Sequence, residues 1–129
     1  MALTDYEKYI RTEGLLALQK EPAELSCHDE MQFQIVHQVA ELWMKLVHHE
    51  IQRFARVLGS DDLAPAVGSL QRVAMIQRLM IDQLDLMDTM SSKAYMTVRA
   101  ALGSGSGQES PGFKTLLRIP GELMWPALK

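Results

Sequence analysis

Residues 28–50, HDEMQFQIVHQVAELWMKLVHHE, decide how the rest of the chain is read. Apolar side chains at Met31, Ile35, Leu42 and Leu46, continued by Phe54 and Val57, recur at spacings that fit a helical period and no strand period. The pattern predicts one long helix from about His28 to Leu58, closed by Gly59. At 100° per residue, Phe33, His37, Glu41, Met44 and His48 fall within a stripe about 80° wide. An aromatic ring, two imidazoles and a carboxylate therefore share one face of the helix.

Outward from this segment the chain reads as further helices with short breaks. Thr4 and Glu7 form a capping box, predicting a first helix from about Asp5 to Lys20 that Pro22 ends. SDDLAPAVG at 60–68 is a break, and a third helix follows over about Ser69 to Met90. Its expected inner face carries Leu70, Val73, Ile76, Leu79 or Met80, Leu84 and Met87. Ser91 caps a fourth helix that ends near Leu102. GSGSGQESPG at 103–112 reads as a loop, and the tail, with Leu116, Leu117, Ile119, Met124 and Trp125, reads as packed. No stretch alternates with period two, so the expectation is all-α: one helical domain over residues 1–129, built as a compact bundle.

Composition narrows the function classes. A chain of 129 residues, 47% hydrophobic, buries roughly two-thirds of its unfolded surface and needs no metal or disulfide to hold a core. Thirteen Lys and Arg against 16 Asp and Glu give a net charge of −3, with no basic footprint for nucleic acid or anionic lipid. The single cysteine, Cys27, allows no internal disulfide. The N-terminus has neither the apolar stretch of a signal peptide nor a membrane-spanning run, so a cytoplasmic protein is expected.

The shared face admits two readings. An imidazole against an aromatic wall is a suitable general base, because partial desolvation favours its neutral form. Equally, His37 can be a core-edge histidine bonded to a backbone carbonyl or to Glu41. A metal reading finds His37 and Glu41 one turn apart, but the chain lacks the Glu-x-x-His repeats of a di-iron bundle. His48 and His49 diverge by about 100°, so they cannot both line one site. Asp82, Asp85 and Asp88 read as a solvated flank. Arg99 at a helix end has a bland use, bonding terminal carbonyls.

Four segments, in order, resemble one family. The 28–50 stretch is similar to the signature helix of tryptophan 2,3-dioxygenases: His-Asp-Glu, an aromatic, His-Gln, then Glu-Leu-Trp. Tyr6-x-x-Tyr9 with LLALQ resembles the family's N-terminal helix. DTMSSKAYMTVRAAL at 88–102 resembles its Glu-Thr-Met, aromatic and Phe-Arg segment. SGSGQESPGFK at 104–114 resembles its Ser-Gly loop. The chain departs from the family pattern at Val98, where an aromatic is usual, at Gly103 and at Gln108-Glu109.

The resemblance implies an all-helical fold like the family's core helices, haem b as cofactor, tryptophan as substrate and a homodimer or larger homo-oligomer. Residue by residue, it implies that His37 is the distal catalytic histidine that contacts the indole N–H and that Phe33 packs on the indole ring. Arg99 binds the substrate carboxylate, with Tyr95 one turn before it. Ser106 and Gly107 close a loop over substrate, and Tyr6 and Tyr9 complete a neighbouring subunit's pocket. The family's proximal haem ligand lies in a C-terminal region with no counterpart here, which leaves His48 or His49 as the candidates for iron. Three functions follow as expectations: an oxygenase of tryptophan or a tryptophan-derived compound in specialised biosynthesis; a haem-free enzyme using His37 as acid or base in the same aromatic pocket; or a non-catalytic binding or assembly module, to whose interface the nine methionines are suited.

Overall fold

The computed structural model describes residues 2–128, with the side chains of 123–125 and 128 excepted. It is all-α: no strand occurs among the described residues. Short helices α1 (Asp5–Ile10) and α2 (Thr12–Leu15) lead through a 3₁₀ turn at Pro22–Glu24 into α3 (Glu30–Val57). Then come α4 (Ala64–Met87), α5 (Ser92–Leu102), a 3₁₀ turn at Gly107–Glu109, α6 (Pro111–Ile119), a π turn at Pro120–Met124 and α7 (Trp125–Leu128). No helix among the described residues is long and apolar enough to cross a membrane.

The centre is one helix pair. The six residues between α3 and α4 are too few for anything but an antiparallel return. Ser60 Oγ donates to the Val57 carbonyl at 2.8 Å, the Ala64 amide donates to Asp62 Oδ1 at 3.0 Å, and Pro65 opens α4. Pro65 explains why α4 begins five residues before the expected Ser69: proline suits a first helical turn, where its missing N–H would have no partner. Val47 and Ile51 of α3, Val73 and Ile76 of α4 and Ile119 of α6 form the core cluster, with Trp43, Leu46, Met80 and Leu116 packed around it.

The expected seam is found only in part: Leu46 and Phe54 on α3 and Val73, Ile76 and Met80 on α4 pack inward. Val36, Met44, Val47, Ile51 and Phe54 are buried on α3, while Ile35 and Leu42 are exposed. On α4 the inner face is Ala66, Ser69, Val73 and Ile76, and Leu70, Leu79 and Leu84 are exposed. Both helices carry more apolar residues than one neighbour covers, so periodicity identified helices without choosing a face. In the tail, Ile119 is buried and Leu117 exposed; the side chains of Met124 and Trp125 lie outside the described residues.

The N-terminus also differs from the reading as one helix to Lys20. The Thr4 capping box forms as expected, with the Glu7 amide donating to Thr4 Oγ1 and the Thr4 amide to Glu7 Oε2. Arg11 then turns left-handed (φ 60°) and splits α1 from α2. Neither buries a side chain, and helices this short gain little without packing. What fixes the arm is a polar ladder at one-turn spacing on α3. Glu30 binds Lys20 Nζ at 3.2 Å and the Ser26 amide at 2.9 Å. Gln34 accepts from the Lys20 amide at 2.8 Å, and Gln38 exchanges bonds with Gln19 and Leu18.

A buried carboxylate locks the α3–α4 seam. Glu50 accepts from Arg72 Nη1 at 2.8 Å and from Ser69 Oγ at 2.9 Å, with Arg53 Nη2 at 3.3 Å. Its arginine partners hold its carboxyl below the usual range against the opposing effect of burial, Arg72 most strongly. Glu30 is held low in the same way, chiefly by the Ser26 amide. Such carboxylates stabilise the fold above their unfolded value of 4.5 and lose that contribution as pH falls through the folded value. Thermal melts should therefore show a plateau near neutral pH and a steepening loss below about pH 4.5. Because Arg53 and Arg72 are 36% and 56% exposed, water screens the cluster; Glu50→Gln should cost about 1–2 kcal/mol and flatten part of that acid slope.

Candidate functional site

The fold brings three of the nominated residues, Phe33, His37 and Tyr95, together near the start of α3. Phe33 and His37, one turn apart, stack with ring centroids 4.2 Å apart and planes at 29°. Tyr95 on α5 tilts towards Phe33, centroids 6.5 Å apart at 58°. Two bonds to Gln32 set that approach: its Nε2 donates to the Leu86 carbonyl at 2.8 Å and meets Thr89 Oγ1 at 3.1 Å, drawing the α4–α5 turn over α3. Ser91 then caps α5 through the Ala94 amide, as its sequence position predicts.

The hydrogen bond of His37 decides what its ring can do. Nδ1 lies 2.6 Å from the Phe33 carbonyl oxygen, an atom that only accepts, so Nδ1 carries a proton. In the neutral ring the lone pair is then on Nε2, pointing away from that bond. The backbone-carbonyl bond of the core-edge reading is present and fixes the tautomer, while the ring itself is exposed rather than desolvated.

Arg99 lies one turn beyond Tyr95 and is exposed, with Nη1 3.4 Å from the Gly105 carbonyl. It thus touches the loop that carries Ser106 and Gly107. Ser106 caps the 3₁₀ turn, its Oγ accepting from the Gln108 amide at 3.2 Å. Gly103 ends α5 at φ 63°, a left-handed conformation that favours glycine. Val98, where the family pattern has an aromatic, is fully buried.

Glu41 has a role that sequence reasoning missed. Its carboxylate receives the Ser110 hydroxyl on one oxygen and the Gly112 amide, at 3.0 Å, on the other. Ser110 itself caps α6 through the Phe113 amide at 3.0 Å. Glu41 therefore clamps the start of α6 to α3, one turn from His37, and anchors the far end of the Ser106 loop. The signal was Ser110-Pro111, a cap followed by a first-turn proline, inside a stretch taken for loop only.

The remaining candidates do not join this group. His48 is half-buried in a separate cleft of about 330 Å³ with Glu41, Lys45, Pro111 and Thr115; His49 is exposed. No cluster of three or more His, Cys, Asp or Glu placed to hold a metal occurs among the described residues. Tyr6 and Tyr9 stand on α1, at 69% and 86% exposure. As for haem, an axial ligand needs apolar walls for the macrocycle. His48 lines its cleft with Leu42, Met44 and Pro111 as well as Glu41 and Lys45, and His49 faces solvent. No iron ligand is assigned to either histidine.

A family model described as tryptophan 2,3-dioxygenase matches residues 1–123. The chain belongs to the tryptophan 2,3-dioxygenase family. Among its relatives, the tryptophan 2,3-dioxygenase of Myxococcus xanthus (strain DK1622) is 38% identical over 107 residues, 83% of this chain and 37% of the relative. That of Bacillus thuringiensis (strain Al Hakam) is 36% identical over 111 residues, 86% of this chain and 39% of the relative. That of Saccharopolyspora erythraea is 35% identical over 116 residues, 90% and 41%. The chain thus spans about two-fifths of the length of these tryptophan 2,3-dioxygenases.

The Glu41 clamp leaves no room at Gly112. A Cβ there would stand 2.7 Å from Glu41 Oε2 and 3.0 Å from Met44 Cβ; the carboxylate can swing away, but the buried Met44 cannot. Gly112→Ala should lower stability by about 1–3 kcal/mol in thermal melts, whereas alanine at Gly107, with open space around it, should be nearly neutral.

Proposed function

We propose that this chain carries the aromatic amino-acid recognition face of a tryptophan 2,3-dioxygenase-type oxygenase. The observation that carries the reading is the Phe33–His37 stack with Nδ1 committed to the Phe33 carbonyl, which leaves Nε2 free to accept from an indole N–H. Phe33 and Tyr95 offer two inclined ring faces to an indole. The Arg99 guanidinium uses one donor on the Gly105 carbonyl and keeps four for a carboxylate, a charge-assisted pairing stronger than a neutral one. Ser106 and Gly107 close over the amino-acid end. Tyr6 and Tyr9, exposed on α1, complete the wall of a second copy's site. The substrate is tryptophan or a tryptophan-derived compound in specialised biosynthesis, the setting is cytoplasmic, and the assembly is a homodimer or larger.

Haem b is the cofactor that family membership suggests, and it would supply oxygen activation. The reading assigns this chain the recognition residues and names no iron ligand among them. The free Nε2 of His37 also supports a second reading, a haem-free enzyme in which that nitrogen takes or returns a proton on the bound aromatic compound. A non-catalytic binding module uses the same contacts without the proton transfer.

Calorimetry with L-tryptophan and with indole tests the recognition itself. Arg99→Ala should weaken tryptophan by roughly 10–100-fold and leave indole, which has no carboxylate, unchanged; His37→Ala should weaken both. If neither compound binds the wild type, or if Arg99→Ala weakens both equally, the reading fails. A Soret band that survives gel filtration of haem-supplied protein would choose the oxygenase over the haem-free reading.

A further inference from the structure

The end of α4 breaks an electrostatic rule that the recognition face does not account for. Asp88 is the C-cap of this 24-residue helix, and no basic residue stands in its last turn. A helix C-terminus carries partial negative charge and favours cations, so a carboxylate there opposes the helix that it closes. Nor is Asp88 compensated elsewhere in the fold, since it makes no ion pair among the described residues. Local rules are broken in this way chiefly where a residue serves function. Asp88 also lines a cleft of about 430 Å³ between the end of α4 and the start of α5. That volume lies within the range of about 300–1,000 Å³ for small-molecule sites. Met87, Met90 and Met96 give the cleft apolar walls, Tyr95 lines it from α5, and Asp88 is its one charged residue.

We propose that this cleft binds an organic ammonium carried on an aromatic or apolar body, with Asp88 pairing the charge. An ammonium beside Asp88 offsets the carboxylate and the negative end of α4 together. The ring of Tyr95 attracts a cation through its quadrupole, and the three flexible thioethers adapt to the body and make favourable contacts with an aromatic ring. The same lining rejects the other ligand classes. An anion would meet the Asp88 carboxylate and the helix end, both negative, with no base to receive it. Calcium and magnesium need about six or more oxygen ligands, and the cleft offers a single carboxylate. The site stands beside the proposed recognition face and shares only Tyr95 with it; neither Arg99 nor His37 lines it.

Two probes of nearly equal shape and different charge test the cleft: 2-phenylethylammonium and neutral 2-phenylethanol, titrated by calorimetry at low salt, where screening is weakest. The wild-type chain should bind the ammonium roughly tenfold more tightly than the alcohol. Asp88→Asn should erase that difference by weakening the ammonium alone. Met96→Gln, at a position 64% exposed and so without consequence for folding, should weaken both probes alike by removing apolar wall. Melting temperature supplies a readout that a structural role for Asp88 would reverse. Without ligand, Asp88→Asn should melt higher than the wild type, because an acid leaves the negative end of a helix; 2-phenylethylammonium should raise the melting temperature of the wild type and not of the variant. Equal affinity of the wild type for the two probes overturns the proposal, as does a preference for the ammonium that survives Asp88→Asn. A lower melting temperature for ligand-free Asp88→Asn shows that the carboxylate serves the fold and overturns it too. Neither probe carries an indole or a carboxylate, so these outcomes are independent of whether L-tryptophan binds at Phe33, His37 and Arg99.

Discussion

The seam between α3 and α4 fixes where everything else in this chain can stand. Val47 and Ile51 against Val73 and Ile76 set the facing sides of the two helices, and Glu50 with Ser69, Arg72 and Arg53 sets their register. A buried carboxylate tolerates little sliding, because displacement by one turn would strip it of its partners while leaving it out of water. With that side of α3 occupied, its other faces serve other elements. Glu30, Gln34 and Gln38 hold the N-terminal arm, Gln32 holds the α4–α5 turn, and Glu41 holds α6. The Phe33–His37 stack sits among these attachments, and its surroundings follow from them.

The sequence reading was strong on element type and weak on orientation. Thr4 and Ser91 each mark a helix start through a local rule, and the 28–50 periodicity needs only the chain itself; Pro65, read as part of a break, marks a third start that was missed. Which side of a helix is covered depends on its neighbours. Ile35 and Leu42 satisfy the period yet face solvent, because α4 lies against Val47 and Ile51. The break at Arg11 was invisible for the same reason: α1 and α2 bury no side chain whose packing would continue them as one helix.

The candidate site follows the same division. Phe33, His37, Tyr95 and Arg99 were legible as residues because family motifs carry them, and the geometry assembles the first three and sets Arg99 against the Ser106 loop. The Phe33 carbonyl that fixes the His37 tautomer leaves no trace in the side-chain pattern, although one-turn spacing made such a bond available. Glu41 was read with the histidines because it shares their stripe. Its oxygens are instead committed to Ser110 and Gly112, sixty-nine and more residues away in sequence.

That commitment bears on the chemistry of the whole stripe. A carboxylate receiving two hydrogen bonds, and capping a helix start through Ser110, has its lone pairs directed at the protein and gains nothing by leaving. It is poorly placed to serve as a base or to ligate a cation beside His37 or His48. The five residues that looked like one reactive face therefore divide in two. Phe33 and His37 belong to the open end with Tyr95 and Arg99, and Met44, Glu41 and His48 belong to the α6 junction. Shared phase on a helix makes residues neighbours of the same solvent; the elements laid across that face decide which of them act together.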